Sequence, residues 1–151
     1  MLQDRLDQDL KDAARAQDKQ KLGTLRLLKS AVKYREIETG AALDDAAMVA
    51  VILTLIKQRR DSVAQYTAGG RPELAAQETA EIGILEAYLP RQLTDDELVV
   101  LVQEAITATG AKGPREMGAV MKAVQPKIAG RAEGKRVSEA VKAALAKAPQ
   151  V

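Results

Sequence analysis

This sequence of 151 residues divides in two at the stretch Leu89-Pro90-Arg91-Gln92-Leu93-Thr94. Proline disfavours helical geometry in the residue before it, so a helix must end at Pro90. Thr94 is followed three positions later by Glu97, which is the pattern of a capping box at the start of the next helix. The stretch therefore predicts an N-terminal helical domain over residues 1–90 and a C-terminal helical domain over residues 91–151.

Four amphipathic segments precede this boundary. In each of them apolar residues recur every three or four positions, the periodicity of a helix with one buried face. Asp18 and Asp44 are suited to begin the second and third helices, and Gly40 is a typical helix terminator. We expect an N-terminal four-helix unit whose inward-facing residues include Leu6, Leu25, Ile52 and Leu85.

Three further helical segments follow the boundary. The fifth helix follows Thr94, a short sixth begins near Pro114 and is predicted to end at Pro126, and the seventh buries Val137, Val141 and Leu145. Aromatic residues make up only 2% of the chain, and the composition favours helix over sheet. The predicted fold class is all-α, with a small three-helix bundle at the C-terminus.

Two missing residue types exclude several classes of function. The chain contains no cysteine and no histidine. Disulfides, thiolate nucleophiles, ordinary zinc sites and the Ser-His and Cys-His catalytic arrangements are therefore ruled out. We expect no metal and no cofactor. The charged N-terminus has no signal-peptide pattern, and the longest apolar run is too short to span a bilayer, so a cytoplasmic protein is expected.

Charge is distributed unevenly along the chain. The net charge is +2, yet residues 112–151 carry nine Lys or Arg against three acids, and residues 41–111 carry five against eleven. A basic C-terminal third predicts an anionic partner. Ordinary fluctuation of charge along a sequence is the alternative.

The basic third centres on the stretch Gly130-Arg131-Ala132-Glu133-Gly134-Lys135-Arg136-Val137. It is not a nucleotide-binding Walker A loop, because only three residues separate its glycines and no Ser or Thr follows the lysine. Cations in the first turn of a helix oppose its dipole, which is tolerated where an anion binds. A solvated basic cap without a ligand is the alternative.

Five cations are the candidate nucleic-acid-binding residues. They fall on the sixth helix, the turn and the seventh helix, where we expect one continuous patch that neutralises phosphates: Lys122, Lys127, Arg131, Lys135 and Arg136. No aromatic residue follows Tyr88, so base stacking has no platform in this part of the chain. The predicted partner is therefore a folded RNA recognised by its backbone and shape.

Three other charged groups are interpreted as structural. Arg26 lies beside the apolar stripe of the second helix and is expected to be a partly buried ion-pair partner. The basic run at residues 57–60 is interpreted as a surface salt-bridge ladder, with a ligand-contacting spot as the alternative. The fourth helix is expected to expose its acids to solvent: Glu73, Glu78, Glu81 and Glu86.

Several motifs together resemble one known family, the YqeY-like proteins, which are related to the tail of the GatB subunit of glutamyl-tRNA(Gln) amidotransferase. They are Lys57-Gln-Arg-Arg-Asp-Ser62, Leu85-Glu-Ala-Tyr-Leu-Pro-Arg-Gln-Leu93, Met117-Gly-Ala-Val-Met121 and Gly130-Arg-Ala-Glu-Gly-Lys135. The resemblance spans the whole chain. It implies an all-helical, two-part fold with a C-terminal bundle similar to the GatB tail, which helps that enzyme to recognise tRNA.

The resemblance implies a tRNA-binding or tRNA-amidotransferase-associated adaptor module without a catalytic site of its own. Its partners would be tRNA or another folded RNA, and a tRNA-modifying or aminoacylating enzyme. A helical scaffold that docks a protein in the groove between its two bundles is one alternative. A carbon–nitrogen ligase with glutamine as amide donor, the activity label carried by the family, is another.

Overall fold

The computed structural model describes residues 1–147, in which all regular secondary structure is helical and no strand occurs. The all-α prediction is confirmed. The chain forms two compact units divided between Leu89 and Pro90, which we call the first unit and the second unit. The helices are α1 (Leu2–Arg15), α2 (Lys19–Thr39), α3 (Asp45–Ala68), α4 (Pro72–Glu86), α5 (Asp95–Thr109), α6 (Met117–Ile128) and α7 (Gly134–Lys147).

The predicted caps begin three of these helices. The Asp18 carboxylate accepts the backbone N–H of Lys21 at 3.1 Å, and the Asp44 carboxylate accepts that of Ala47 at 2.8 Å. Thr94 forms both halves of the capping box with Glu97. Each cap satisfies an N–H group that the first helical turn leaves unpaired, so these starting points are encoded locally.

Helix ends follow two different patterns. Gly40 and Gly110 end α2 and α5 in the left-handed region, with φ of 71° and 69°. Gln17, just after α1, and Ala129, just after α6, adopt the same region at φ of 55° and 43° although neither is glycine. An L side chain is disfavoured in that region, and backbone hydrogen bonds close both turns: the N–H of Asp18 donates to the Ala13 carbonyl at 3.1 Å, and that of Arg131 to the Ile128 carbonyl at 2.8 Å.

The prediction that Pro126 ends the sixth helix is wrong. A single 3-10 turn, Pro114–Glu116, leads into α6, which continues through Pro126 to Ile128. Proline this close to a helix end removes one backbone hydrogen bond. Ile128 is only 2% exposed, and burying its side chain favours the extra residues of helix.

The first unit encloses an apolar core between its four helices, with α4 packed against α2 and α3. Its most deeply buried side chains are Leu6, Leu25, Leu28, Val32, Met48, Ile52 and Leu85. All four inward-facing residues named from the sequence are therefore buried.

An ion pair borders this core. Arg59 is only 9% exposed, and its Nε lies 3.3 Å from a carboxylate oxygen of Glu81 on α4. Its Nη1 also donates to the carbonyl of Leu55 at 3.4 Å. The neighbouring Glu78 has its pKa raised, first by burial and then by the negative charge of Glu81. The prediction that α4 exposes all four glutamates to solvent is therefore wrong for Glu78 and Glu81, which are partly buried, and holds for Glu73 and Glu86.

Arg26 does not have the role predicted for it. The residue is exposed and forms no ion pair within the described part of the chain. Both Arg26 and Arg59 lie near apolar stripes in the sequence, but only Arg59 faces another helix of the unit, where Glu81 neutralises it. The buried arginine of the first unit is therefore on α3 rather than α2.

A second polar contact joins the end of α4 to α1. The hydroxyl of the buried Tyr88 donates a short hydrogen bond to Asp9, and the guanidinium of Arg5 lies 4.5 Å from the centroid of the tyrosine ring. Arg5 also donates to the carbonyl of Ala87 at 2.9 Å. Burial, followed by the charge and hydrogen bond of Asp9, raises the pKa of Tyr88 above its ordinary value.

The second unit has an aliphatic core built from α5, α6 and α7. Its buried residues include Leu98, Val102, Val120, Val124, Ile128, Val137, Val141 and Leu145. Hydrogen bonds join the segment before α5 to the turn after α6; among them, the N–H of Leu93 donates to the Arg131 carbonyl at 2.7 Å, and the Gln92 amide donates to the Gly130 carbonyl at 3.1 Å. In residues 1–147, no helix has the length and apolar character needed to cross a membrane.

Candidate nucleic-acid interface

The start of α5 is held by a paired arginine. The Arg91 guanidinium donates to both carboxylate oxygens of Glu97, at 3.0 and 2.7 Å. Glu97 also accepts the backbone N–H of Thr94 at 3.3 Å. These hydrogen bonds, Arg91 first and Thr94 next, lower the pKa of Glu97 to about 2. The carboxylate is therefore ionised at all physiological pH values.

Arg131 and Arg136 reach the same place from the turn and from α7. Arg131 lies 4.0 Å from the Glu97 carboxylate, and its Nε donates to the Arg91 carbonyl at 3.3 Å. Arg136 donates to the Leu93 carbonyl at 3.0 Å and to the Asp95 carboxylate at 2.8 Å. We call Arg91, Arg131 and Arg136 the arginine cluster.

The arginine cluster is largely paired with acids. Its three guanidinium groups contact the carboxylates of Glu97 and Asp95, and Asp96 lies in the same first turn of α5. Two of the guanidinium groups also bond backbone carbonyls of the segment before the helix. Planar guanidinium suits such multiple contacts better than ammonium does. The cluster therefore fastens α7 and the turn to the start of α5, and contributes little net charge for a ligand.

Lys127 forms a looser pair further along α5. Its Nζ lies 3.6 Å from the Glu104 carboxylate, and both side chains are about half exposed, at 47% and 55%. Ion pairs in such positions contribute only about 0 to 1 kcal/mol, because water screens them. Lys127 can therefore exchange its carboxylate for another anion at little cost.

Lys122 and Lys135 are exposed and have no carboxylate partner in residues 1–147. Lys122 follows Val120 by two positions, which places it on the face of α6 away from the buried Val120 and Val124. Lys135 is in the first turn of α7 and precedes the buried Val137 by two positions, which likewise places it on the face away from the core. Both ammonium groups are thus available to solvent.

The five residues predicted from the sequence therefore fall into separate groups. The structure brings Arg131 and Arg136 together at the start of α5, and it places Lys127 against Glu104 on the same helix. Lys122 and Lys135 lie on exposed faces of α6 and α7. The two arginines of the predicted patch contact carboxylates and backbone carbonyls, whereas its three lysines are exposed to solvent.

Sequence reasoning missed other cations of the second unit. Arg91 belongs to a quoted motif but was not assigned to the site. Lys142 follows Lys135 by seven positions, or two helical turns, so both lie on one side of α7, and that spacing was the signal that would have identified it. Four exposed cations have no ion-pair partner within the described residues besides Lys122 and Lys135: Lys112, Arg115, Lys142 and Lys147.

The second unit therefore carries uncompensated positive charge. Residues 90–147 contain ten Lys or Arg and seven acids, a net charge of +3, whereas residues 1–89 have a net charge of −1. Within the described part, no group of three or more acidic side chains is placed to hold a metal ion. Exposed lysines and Arg115 are the cations of this unit that have no ion-pair partner within the described residues, apart from Lys127, which is paired with Glu104.

Comparison with known proteins agrees with this architecture. The profile of a family described as Yqey-like protein matches residues 3–145. Among curated proteins, the chain is 34% identical over 91 residues to Altered inheritance of mitochondria protein 41 of Saccharomyces cerevisiae, covering 60% of this chain and 49% of the yeast protein. The Kluyveromyces lactis protein of the same name is 39% identical over 84 residues, which are 55% of this chain and 45% of that protein.

The chain thus spans about half the length of the curated relatives that it matches. Those relatives are named as mitochondrial proteins. The family profile, by contrast, covers both units and nearly every residue of this chain. The chain therefore belongs to the YqeY-like family.

Proposed function

We propose that the chain is a tRNA-binding or tRNA-amidotransferase-associated adaptor module, whose second unit contacts the phosphates of a folded RNA. The observation that carries the proposal is the surplus of exposed cations in the second unit. Six of its ten Lys and Arg side chains have no ion-pair partner within residues 1–147. The binding free energy of a polyanion is most favourable where the cations that it contacts are exposed and not already neutralised by carboxylates.

The two kinds of cation have different tasks in this proposal. The lysines supply phosphate contacts, because an exposed ammonium on a flexible stem adapts to a charged surface. The arginine cluster sets the shape of that surface by fixing α7 and the turn against α5. Lys127 belongs with the other lysines, since its pair with Glu104 is half exposed.

The mode of recognition follows from the residue types. No aromatic residue occurs after Tyr88, so the second unit has no ring on which to stack an unpaired base. Proteins that read single-stranded RNA depend on such stacking. Contacts to phosphates set affinity and orientation without reading sequence. The partner is therefore a folded RNA, bound through its backbone and shape.

A salt titration tests the proposal. Binding of an unmodified tRNA to the full chain would be followed by fluorescence anisotropy at increasing salt. Each phosphate contact contributes about 0.7 to 0.9 to the slope of log K against log salt. Lys122→Ala and Lys135→Ala should each lower the slope magnitude by about that amount. Lys11→Ala, which removes an exposed lysine of the first unit, is the matched control and should leave the slope unchanged.

Two results would contradict the proposal. One is no binding at low salt, and the other is binding whose affinity does not respond to salt. A slope that falls equally for Lys11→Ala and Lys122→Ala would show general charge attraction rather than a surface on the second unit.

A further inference from the structure

The outer face of α2 exposes large apolar side chains. Leu27 is 55% exposed, Tyr34 67% and Ile37 81%. Among the described residues, the other large apolar side chains with such exposure are Met1, Val99 and Val100. Three of these six exposed apolar side chains thus lie on α2, although another face of that helix is already buried in the core of the first unit.

These residues follow a heptad pattern. Leu27 and Tyr34 are seven positions apart, and Ile37 follows three positions later. The small residues Gly23 and Ser30 and the polar Gln20 occupy the other positions of the same repeat within α2. On the opposite face of α2, Leu25, Leu28 and Val32 are fully buried in the core of the first unit. Apolar residues alternating at three and four positions form a narrow seam, which is the kind of surface that one helix presents to another.

Unneutralised cations border one edge of the seam. Lys19, Arg26 and Lys33 are spaced by seven residues, which places them about 10 Å apart along the helix. All three are exposed, and none forms an ion pair within the described residues. In a heptad repeat, this edge is where a neighbouring helix places its own charged side chains.

The other edge carries no comparable charge. Ala31 is apolar, Glu38 is neutralised by Arg35 at 3.0 Å, and the buried Thr24 hydroxyl donates to the Gln20 carbonyl at 2.9 Å. The seam therefore presents positive charge along one side only. A matching surface needs apolar residues in a heptad pattern and carboxylates along one edge.

We propose that the outer face of α2 is a docking surface for an acidic amphipathic helix of a partner protein. Leu27, Tyr34 and Ile37 would pack between the apolar side chains of that helix, while Lys19, Arg26 and Lys33 would face its glutamates or aspartates. Tyrosine and arginine, together with tryptophan, are enriched among the energetically dominant residues of protein interfaces.

The same features argue against other occupants. Two copies of α2 packed antiparallel would bring their cation-bearing edges together, and like charges there repel. A membrane requires a broader apolar face than this seam. Exposed Leu27 and Ile37 have no useful partner on an RNA backbone, whereas on an apolar helix their burial is favourable. The surface lies on the first unit and is independent of the RNA contacts proposed for the second.

The test uses a synthetic acidic helix as probe. The peptide would contain about three heptads with leucine at the a and d positions and glutamate at e and g, so that its own charges oppose self-pairing. Binding of the labelled peptide to the full chain is expected in fluorescence anisotropy. A peptide with lysine in place of glutamate should not bind.

Variants of the full chain locate the contact. Leu27→Glu and Ile37→Glu should each weaken binding about tenfold or more, because a charge replaces a buried apolar contact. Val99→Glu, a change of the same kind on α5, is the control and should have no effect. Replacing Lys19, Arg26 and Lys33 together by glutamate should abolish binding of the acidic peptide and create binding of the lysine peptide. All substituted side chains are exposed, and circular dichroism checks that the helices remain.

Several outcomes would overturn the proposal. They are no binding of the acidic peptide, equal loss of binding for Val99→Glu and Leu27→Glu, and failure of the charge reversal to exchange the two peptides. Concentration-dependent dimerisation that Leu27→Glu removes would assign the face to a second copy. Binding of phosphatidylglycerol vesicles or tRNA that Ile37→Glu removes, without peptide binding, would assign it to a lipid surface or to RNA.

Discussion

The two units of the chain use their charged side chains differently. In the first unit, charged and polar groups lie against the core, where Arg59 meets Glu81 and Tyr88 meets Asp9. In the second unit, the core is aliphatic and the charges stay at the surface, in the arginine cluster and on exposed lysines. The difference indicates that polar contacts stabilise the first unit, whereas much of the positive charge of the second remains available for a partner.

The largest expected effect concerns Arg59. Arg59→Ala should lower the free energy of unfolding of the first unit by about 2–4 kcal/mol, because it leaves the partly buried Glu81 without its cation. All three tyrosines of the chain lie in the first unit, so tyrosine fluorescence in a urea titration reports on that unit alone. Arg35→Ala removes an exposed pair and should cost no more than about 0.5 kcal/mol. Equal effects of the two variants would contradict the stabilising role assigned here to the buried pair of Arg59 and Glu81.

The next effect concerns Arg136 in the second unit. Arg136→Ala removes the hydrogen bonds to the Leu93 carbonyl and the Asp95 carboxylate, so we expect a loss of about 1–3 kcal/mol. Amide hydrogen exchange in α5 and α7 would measure it. Lys135→Ala changes the neighbouring exposed residue and should leave exchange unaltered. If Lys135→Ala destabilised the unit as much, the assignment of different tasks to arginines and lysines would be wrong.

Tyr88 provides a smaller effect that depends on pH. Tyr88→Phe should cost about 1 kcal/mol near neutral pH through loss of the hydrogen bond to Asp9. Because the folded pKa of Tyr88 is raised above 10.0, this contribution is complete below pH 10 and is lost as the pH rises further. The stability difference between wild type and Tyr88→Phe should therefore shrink in alkaline urea titrations. Tyr34→Phe, which alters an exposed hydroxyl, should show no such trend.

The smallest expected effect is a loss of stability at acid pH, which arises from protonation of Glu97. Its pKa of about 2 lies below the ordinary 4.5, so its stabilising contribution is present above pH 4.5 and is lost as the pH falls towards 2. Carboxyl-carbon NMR should show Glu97 still ionised at pH 3. Arg91→Ala should return the pKa of Glu97 towards its ordinary value, since Arg91 is the largest cause of the shift. An unchanged titration in that variant would contradict the geometry of the cluster.

Much of the fold was predictable because short sequence patterns determine where several of the helices begin. Asp18, Asp44 and Thr94 begin helices through bonds that reach only three residues ahead. The end of α6 was not predictable in the same way, because it depends on the burial of Ile128 by α5 and α7. Pro126 by itself predicted the end of the helix, but packing against residues that are distant in the sequence extends α6 to Ile128.

The candidate site shows the same limit. The sequence identified a basic C-terminal third, but it gave no sign that Arg136 contacts Asp95, which is 41 residues away. It also predicted a partly buried Arg26 and a surface position for Arg59, whereas Arg26 is exposed and Arg59 is buried against Glu81 of α4. Charge along a chain predicts the sign of a surface, while the pairing of individual charges requires the fold.

The left-handed turns described above have a consequence for how this sequence tolerates change. Gly40 and Gly110 hold backbone geometry that alanine would strain, whereas Gln17 and Ala129 already hold it with ordinary side chains. Substitution by glycine at positions 17 and 129 should therefore relieve local strain, whereas replacing Gly40 or Gly110 by alanine should introduce it. At these helix ends, changes to glycine should be tolerated better than changes from glycine.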